Sequence, residues 1–592
     1  MSSSASSVAR RNGQHAIKLD ALVVGAGFGG IYALYKLRGL SLNVKAFEKG
    51  SGVGGTWFWN RYPGCRCDVP SMEYSYSFSE ELQQQWEWTE VHATQPEIER
   101  YCNHVVDRFD LRKDIQLNSE VTSAQYDETA KLWCAKTADG QTVLATYLML
   151  TTGGYHRPIV PNIPGIDSFK GELYFSNDYP ATEPSYAGKR IGVIGTGSTG
   201  HQTTVALGEQ PIKHLYVFQR TPGYIAPSYD RPLTAEEVVE HKAHYAERRE
   251  RARHTGYGVD ITSFPVGGGK TIELTDDEFD RRAELMWQSG GGTVQTMFPD
   301  FATDARANKR IAEFLHKKLR EQIMDPQLGD SLCRQDYYLG AKRIIIIDHY
   351  VSTLQKPNVS LVDTKRCPIQ EITPRGVRTP DREYELDMLI LATGFDSATG
   401  SILKIDIRGR KGLTLERKWA DGPSTYLGLG VHGFPNMFSI CQVGSPGIRS
   451  HMMVQIEQHV DWIADLIVYA KKHGVEAIEA SQRAEDTWTA HVAEVAGTTI
   501  LTVDDSQHLG SNVPGKPRVV TSYLGGVGAY RRICDAVAAN DYEGWSLHTS
   551  AGLLANSPDW SGPKRKVRWE TRDDEVREEG QKEAQYEPAG FL

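Results

Sequence analysis

An apolar run that ends in Gly-x-Gly-x-x-Gly and passes into a helical pattern leaves a chain few folds to choose from. This chain does it twice. Ala21–Val24 is a short apolar run of the kind that forms a buried parallel strand. It ends in Gly25, Gly27 and Gly30, and Ile31, Leu34, Tyr35 and Leu37 then share one helical face. The three glycines act differently. Gly25 permits the tight turn, Gly27 lets a pyrophosphate approach the backbone, and Gly30 lets helix and strand pack closely. The helix start offers free N–H groups and the positive end of its dipole to phosphate. A second strand, Val44–Phe47, ends at Glu48, whose carboxylate suits the two hydroxyls of an adenosine ribose.

The second copy runs from the strand Arg190–Ile194 through Gly195, Thr196, Gly197, Ser198, Thr199 and Gly200 into a helix containing Gln202. Its next strand, Leu215–Phe218, ends in Gln219, Arg220 and Thr221 where the first copy has Glu48. A carboxylate repels a 2′-phosphate, whereas a neutral amide, a guanidinium and a hydroxyl hold one. The first turn therefore suits FAD or NAD and the second NADPH. Such a pair is the equipment for passing electrons from NADPH to a bound flavin. The fold class expected is α/β, with two Rossmann-like dinucleotide-binding domains and a helical insertion.

Composition narrows the partners. Of 592 residues, 40% are hydrophobic and 24% charged, as in ordinary globular proteins. The net charge of 66 − 75 = −9 gives no attractive field for nucleic acid or an anionic membrane. The longest apolar runs, 147–150 and 344–347, are too short to span a bilayer, and residues 1–18 have no apolar core like that of a secretory signal. Eight cysteines form no Cys-x-x-Cys pair, which fits a reducing, cytoplasmic setting. Cys65 and Cys67 are expected to pack rather than to bind metal, because no other Cys or His group supplies ligands; no metal site is expected.

The strands ending at Thr151 and at Ala392 read as crossings between domains. Residues 1–155 are expected to form the first part of an FAD-binding domain, and 156–394 an NADPH-binding domain with a helical subdomain at about 232–330. Residues 395–548 would complete the FAD domain, and 549–592 a charged tail. Within the insertion, Ala235–Arg253 and Asn308–Ile323 read as long charged helices. The basic run 564–568 reads as solvated tail beside the acidic stretch 573–579.

The motifs together resemble the class B flavoprotein monooxygenases, and specifically the type I Baeyer–Villiger monooxygenases. The resemblance rests on the two glycine turns and on Gly55-Thr56-Trp57-x-Trp59-Asn60-Arg61-Tyr62-Pro63-Gly64 with Arg66-Cys67-Asp68. It continues through Phe218-Gln219-Arg220-Thr221-Pro222, Lys342-Arg343, Ala392-Thr393-Gly394-Phe395-Asp396, Gly433-Phe434-Pro435-Asn436, Ile456-Glu457-Gln458-His459 and Asn512-Val513-Pro514-Gly515-Lys516. It covers roughly residues 18–548 and implies FAD, NADPH, O2 and a small-molecule ketone that becomes an ester or lactone. By that correspondence Arg343 stabilises a deprotonated flavin peroxide and Asp68 steadies Arg343. Lys342, Arg220 and Thr221 hold the 2′-phosphate, while Gly55, Thr56 and Trp57 lie against the flavin. Glu457 and His459 have no metal-ligand spacing and read as structural helix residues.

The chain departs from the family fingerprint F-x-G-x-x-x-H-x-x-x-W-P, with Phe175 in place of His and Tyr179 in place of Trp. Gln507 stands where the family often has Trp. These departures open an alternative: oxygenation at N or S, or NADPH oxidation without product. A non-catalytic flavin-binding scaffold is the third possibility, which the cluster of Arg220, Lys342 and Arg343 disfavours. Flavin disulfide reductases share the two-nucleotide plan but need a redox cysteine pair near the flavin. Loops at 260–300, 440–450 and 500–512 are expected to shape the substrate pocket, with Arg449, Ser450 and His451 making it polar.

Overall fold

A computed structural model describes residues 16–554 except 261, 263–266, 268, 448, 449, 504–508, 511 and 512, together with Trp560, Gly562 and Pro563. Gln507, Arg449 and the charged runs 564–568 and 573–579 lie outside the described residues.

Each glycine turn belongs to its own sheet. The larger sheet has eight strands. Its order is Asp406–Arg408, Val121–Asp127, Leu132–Thr137, Thr142–Leu150, Ile17–Val24, Val44–Phe47 and Ile115–Gln116, and Met437–Ser439 joins Thr142–Leu150. Ile17–Val24 lies parallel to both neighbours, with Val24 opposite Phe47 and Leu150. The second sheet is parallel throughout, in the order Val359–Asp363, His214–Gln219, Arg190–Ile194, Met388–Leu391, Glu172–Phe175. In both sheets the glycine-bearing strand is internal, so its C-terminal end opens where a doubly wound sheet binds its ligand.

The helix after the first turn, Phe28–Gly39, was expected to bury one face. Instead Phe28, Gly30, Ile31, Tyr32, Ala33, Leu34 and Leu37 are all buried. The long helix Met452–Lys472 covers its outer side, with Tyr32 Oη donating to Asp461 (2.8 Å) and Lys36 paired to the same carboxylate (2.6 Å). Burial thus extends well beyond one face, leaving Lys36 and Arg38 partly exposed near the C-terminal end.

The two passages between the sheets lie side by side. Ile159 N–H donates to Gly394 O (2.8 Å), Asp396 N–H to Arg157 O (3.0 Å), and Thr393 Oγ1 to Ile159 O (2.6 Å). The stretch 235–253 is two helices rather than one: Ala235–Ala243 and Tyr245–His254 break at His244, whose ring pairs with Glu247 of the second helix. The second helix docks on the larger domain through buried Arg249, which donates to Met72 O (3.0 Å), Ser75 Oγ (2.6 Å) and Glu73 O. At the other end, the tail expected from residue 549 begins inside the fold. Trp545–Thr549 pairs with Val475–Ala480 and Gly552–Leu553, and Trp560 is buried against Tyr426 and Trp488.

Candidate functional site

The first turn is built by close contacts. Gly25 has φ +106°, and a Cβ there would lie 2.9 Å from Thr151 O. A Cβ on Gly30 would sit 1.9 Å from Gly25 O, so only glycine lets the helix start so near the strand. Glu48 is buried, and its two carboxylate oxygens accept from the N–H of Ala26 (2.8 Å) and Gly50 (2.7 Å). Each oxygen keeps a further lone pair for a ribose hydroxyl. Gly55 lies over Gly27, its Cα 3.3 Å from where a Cβ on Gly27 would be. Thr56–Trp59 is one turn of helix with Trp57 and Phe58 buried.

The second turn repeats the first. Gly195 has φ +110°, its Cβ position is 2.3 Å from Ala392 O, and that of Gly200 is 2.0 Å from Gly195 O. Thr196 Oγ1 donates to Thr221 O (3.2 Å). Gly197 differs: a Cβ there would meet no described atom within 4 Å, and its φ of −86° suits any residue. Neither packing nor backbone conformation asks for glycine at 197. Close approach of a phosphate does, so this turn fits the nucleotide. Arg220 is exposed and Thr221 half-buried at the strand end. Gln219 corrects the expectation that its amide faces the 2′-phosphate: it is fully buried and donates inward to Ser331 O (2.9 Å).

Residues 61–68 join the two units. Gly64 has φ +76° and sits so close to the second unit's helix that a Cβ would lie 2.7 Å from Gln202 O. Tyr62 Oη donates to Gln202 Oε1 (2.9 Å), Gln202 Nε2 donates to Arg66 O (3.1 Å), and Thr199 Oγ1 lies 3.4 Å from Tyr62 Oη. Ser198 and Thr199 open that helix. Gln202 is thus a link between the units. Arg66 pairs with Asp230 and Glu90, and the turn carrying Asp230 is held by Asp348, which accepts from the N–H of Ser228 (3.0 Å), Tyr229 (3.1 Å) and Asp230 (2.8 Å).

At the end of this segment Asp68 meets Arg343, 275 residues away in sequence. The pair is bidentate: Nε donates to Oδ2 (2.7 Å) and Nη2 to Oδ1 (2.6 Å). The charge of Asp68 raises the Arg343 pKa still further, and 39% of the Arg343 side chain stays accessible. Arg343 in turn draws down the Tyr155 hydroxyl, which burial pushes up more strongly. Of the apolar run 344–347, Ile345–Ile346 forms a short strand paired with Ile225–Ala226. Lys342 is half-buried with its ammonium 4.4 Å from the ring centre of Tyr337.

Cys65 and Cys67 are buried, and burial pushes the Cys65 thiol up to about 12 and the Cys67 thiol up as well. Among the described residues no group of three or more His, Cys, Asp or Glu side chains is arranged to hold a metal. Glu457 accepts from Ser77 N–H (2.6 Å), and His459 Nδ1 accepts from Cys441 N–H (3.0 Å). Phe175 packs in the core of the second sheet beside Leu391, and Tyr179 is buried with its hydroxyl 3.0 Å from that of Tyr186. Two contributors have no sequence signature: the backbone clamp of Asp348, and Tyr74, whose Oη accepts from Trp57 Nε1 (3.2 Å). Gln202 and Tyr62 were both named from sequence, but not their pairing.

Two dinucleotide turns of opposite ribose chemistry, bridged by one loop that ends at a carboxylate–guanidinium pair, define a two-nucleotide flavoprotein oxidoreductase. Comparison with known proteins agrees. A family model described as pyridine nucleotide-disulphide oxidoreductase matches residues 19–246. The phenazine N-monooxygenase PhzNO1 of Lysobacter antibioticus is 40% identical over 90% of this chain and 98% of its own. Cyclohexanone 1,2-monooxygenase of an Acinetobacter species is 38% identical over 89% and 96%. The solved structure of an oxidized steroid monooxygenase bound to NADP superposes with TM-score 0.85 at 42% identity, covering 90% of this chain and 99% of that one. The chain belongs to the type I Baeyer–Villiger monooxygenases.

Proposed function

We propose that this protein uses NADPH and O2 to insert one oxygen atom beside a ketone carbonyl, forming an ester or lactone. FAD is held at Gly25, Gly27, Gly30 and Glu48 beneath Gly55, Thr56 and Trp57. NADPH is held at 195–200, with Arg220, Thr221 and Lys342 on its 2′-phosphate and Gln202 tying that helix to the Tyr62 loop. When bound and reduced, FAD supplies the activated oxygen. The domain assignment follows the same plan: FAD-binding at 1–155 and 395–548, NADPH-binding at 156–394. Among the described residues no helix is long and apolar enough to cross a membrane. Together with the cysteine usage this supports a cytoplasmic enzyme.

The bidentate Arg343–Asp68 pair carries the reading. Attack on a carbonyl carbon needs an anionic oxygen nucleophile, and a guanidinium supports an anion without supplying a proton at working pH. Asp68 fixes the plane of that guanidinium, so the cation is set in place before substrate arrives. Removing one such preorganised donor costs about 3–4 kcal/mol of barrier, or roughly a hundredfold to a thousandfold in rate. Arg343→Ala is therefore expected to keep FAD and to go on consuming NADPH, while lactone formation from cyclohexanone under labelled O2 falls at least a hundredfold. Product formation within fivefold of wild type overturns the assignment.

The phenazine N-monooxygenase relative is the observation behind a second reading, oxygenation at an aromatic nitrogen. Phe175 adds to it only by lacking a hydrogen-bonding group. An N-oxide from phenazine, with no labelled ester from any ketone, decides for that reading.

A further inference from the structure

His451 stands at the N-cap of the helix Met452–Lys472, only 3% exposed, and neither ring nitrogen has a hydrogen-bond partner among the described residues. A neutral imidazole carries one donor and one acceptor, and leaving either unmatched in a buried place costs about 1–3 kcal/mol. Such a cost persists where the group serves something that arrives later.

The backbone that carries the ring is held in place. His451 N–H donates to Tyr257 O (2.7 Å), and a Cβ on Gly258 would be 3.2 Å from His451 Cβ. Fully buried Gln455 clamps the preceding loop, accepting from Gly447 N–H (2.9 Å) and donating to Ser450 Oγ (2.7 Å). The imidazole meets the ring of Tyr74 edge-on at 5.8 Å, and Tyr74 accepts from Trp57 in the segment proposed to lie against the flavin. Burial, with Arg249 nearby, lowers the His451 pKa to about 3, so at neutral pH the ring both donates and accepts.

We propose that His451 is a specificity-determining residue that hydrogen-bonds a second polar group of the substrate, making the preferred ketone one that carries a hydroxyl or similar group apart from its carbonyl. This rests on the ketone-oxygenating reading above. A site built around a hydrogen bond discriminates against the analogue that lacks it, because its own buried group is then left unmatched.

The test compares kcat/KM of the FAD-loaded enzyme on cyclohexanones bearing hydroxyl or methyl at ring positions 2, 3 or 4, the two substituents being nearly equal in size. In His451→Leu and His451→Phe the hydroxyl-to-methyl ratio is expected to fall at least tenfold for one of the pairs. His451→Asn, which keeps a donor and an acceptor, is expected to hold the ratio within threefold. The two apolar variants differ in volume, so whichever retains FAD carries the measurement. A smaller change in every pair overturns the proposal while leaving ketone oxygenation intact. Absence of lactone from all pairs in the unaltered enzyme overturns the activity itself, and the inference with it.

Discussion

The two glycine turns share a backbone but not an enclosure. Gly25 and Gly195 have φ within a few degrees of each other, +106° and +110°, and a Cβ on Gly30 or Gly200 would lie 1.9 or 2.0 Å from the carbonyl oxygen of its own turn's first glycine. What surrounds them differs. Gly27 is roofed by Gly55, and Glu48 is buried with one oxygen held by the N–H of Ala26 in the turn and the other by that of Gly50. Gly197 has no described atom within 4 Å of its Cβ position, Gln219 turns inward, and Arg220 is left at the surface. This fits the proposed division of labour, in which the first turn keeps FAD and the second exchanges NADPH. On that proposal the glycines set how close a phosphate comes, and the roof sets how readily it leaves.

The sharpest way to break this comparison is to fill both turns. Gly30→Ala and Gly200→Ala each force a Cβ against a backbone carbonyl. The first is expected to abolish FAD retention, giving colourless protein. The second is expected to leave the flavin bound while anaerobic reduction by NADPH slows more than a hundredfold. Flavin absorbance and stopped-flow reduction read the two effects. Equal loss of FAD from both would mean that the units do not bind independently. A milder probe is Arg220→Ala. Losing one charge-assisted hydrogen bond to the 2′-phosphate is worth about 1.5–3 kcal/mol, so KM for NADPH is expected to rise at least tenfold with little change for NADH. A parallel rise for both coenzymes would place Arg220 on the shared pyrophosphate or outside the site.

Much of this frame was legible because the glycine turns and their strands obey local rules. The strands Val44–Phe47, Arg190–Ile194 and Met388–Leu391 lie where apolar runs meet glycine. Ile17–Val24 and Thr142–Leu150 run further toward their N-termini than the apolar runs, since polar residues at a strand's start pair equally well through backbone groups. Charged helices were less legible. The break at His244 has no glycine or proline to mark it, and it serves the docking of Arg249 on residues 72–75, a contact that sequence spacing does not encode. At the site, the residues after each strand were readable but their directions were not. Gln219 faces Ser331 because the helix Pro326–Leu332 closes over it. The meeting of Asp68 with Arg343 across the two sheets was accessible only through family resemblance. His451 gave no more than a hint of polarity, because an unmatched ring is a property of its surroundings.

The residue after the last glycine offers the finest test of the contrast. It is Ile31 in the first turn and His201 in the second, each 1% exposed. His201 Nδ1 lies 3.1 Å from Gly197 O, a carbonyl that only accepts, so Nδ1 carries the proton. Nε2 is buried without a partner among the described residues, and the ring lies 3.8 Å from that of Tyr350. Protonation would place an unmatched N–H there, and burial accordingly lowers the pKa to about 4. An unfolded histidine titrates near 6.5, so between about pH 6.5 and 4 the unfolded chain takes up a proton that the folded one refuses. The stabilisation is complete above the higher value and is lost as the pH falls through that window, by at most about 1.4 kcal/mol per pH unit. His201→Ile copies the first turn and removes this linkage. The variant is expected to match the parent's thermal midpoint at about pH 8 and to lose less of it between about pH 6.5 and 5. Half-buried His241 and buried His451 and His459, each lowered to about 3, keep part of the slope. An unchanged slope would mean that His201 is no more buried from protons than an exposed histidine, and that the two turns differ only at their roofs.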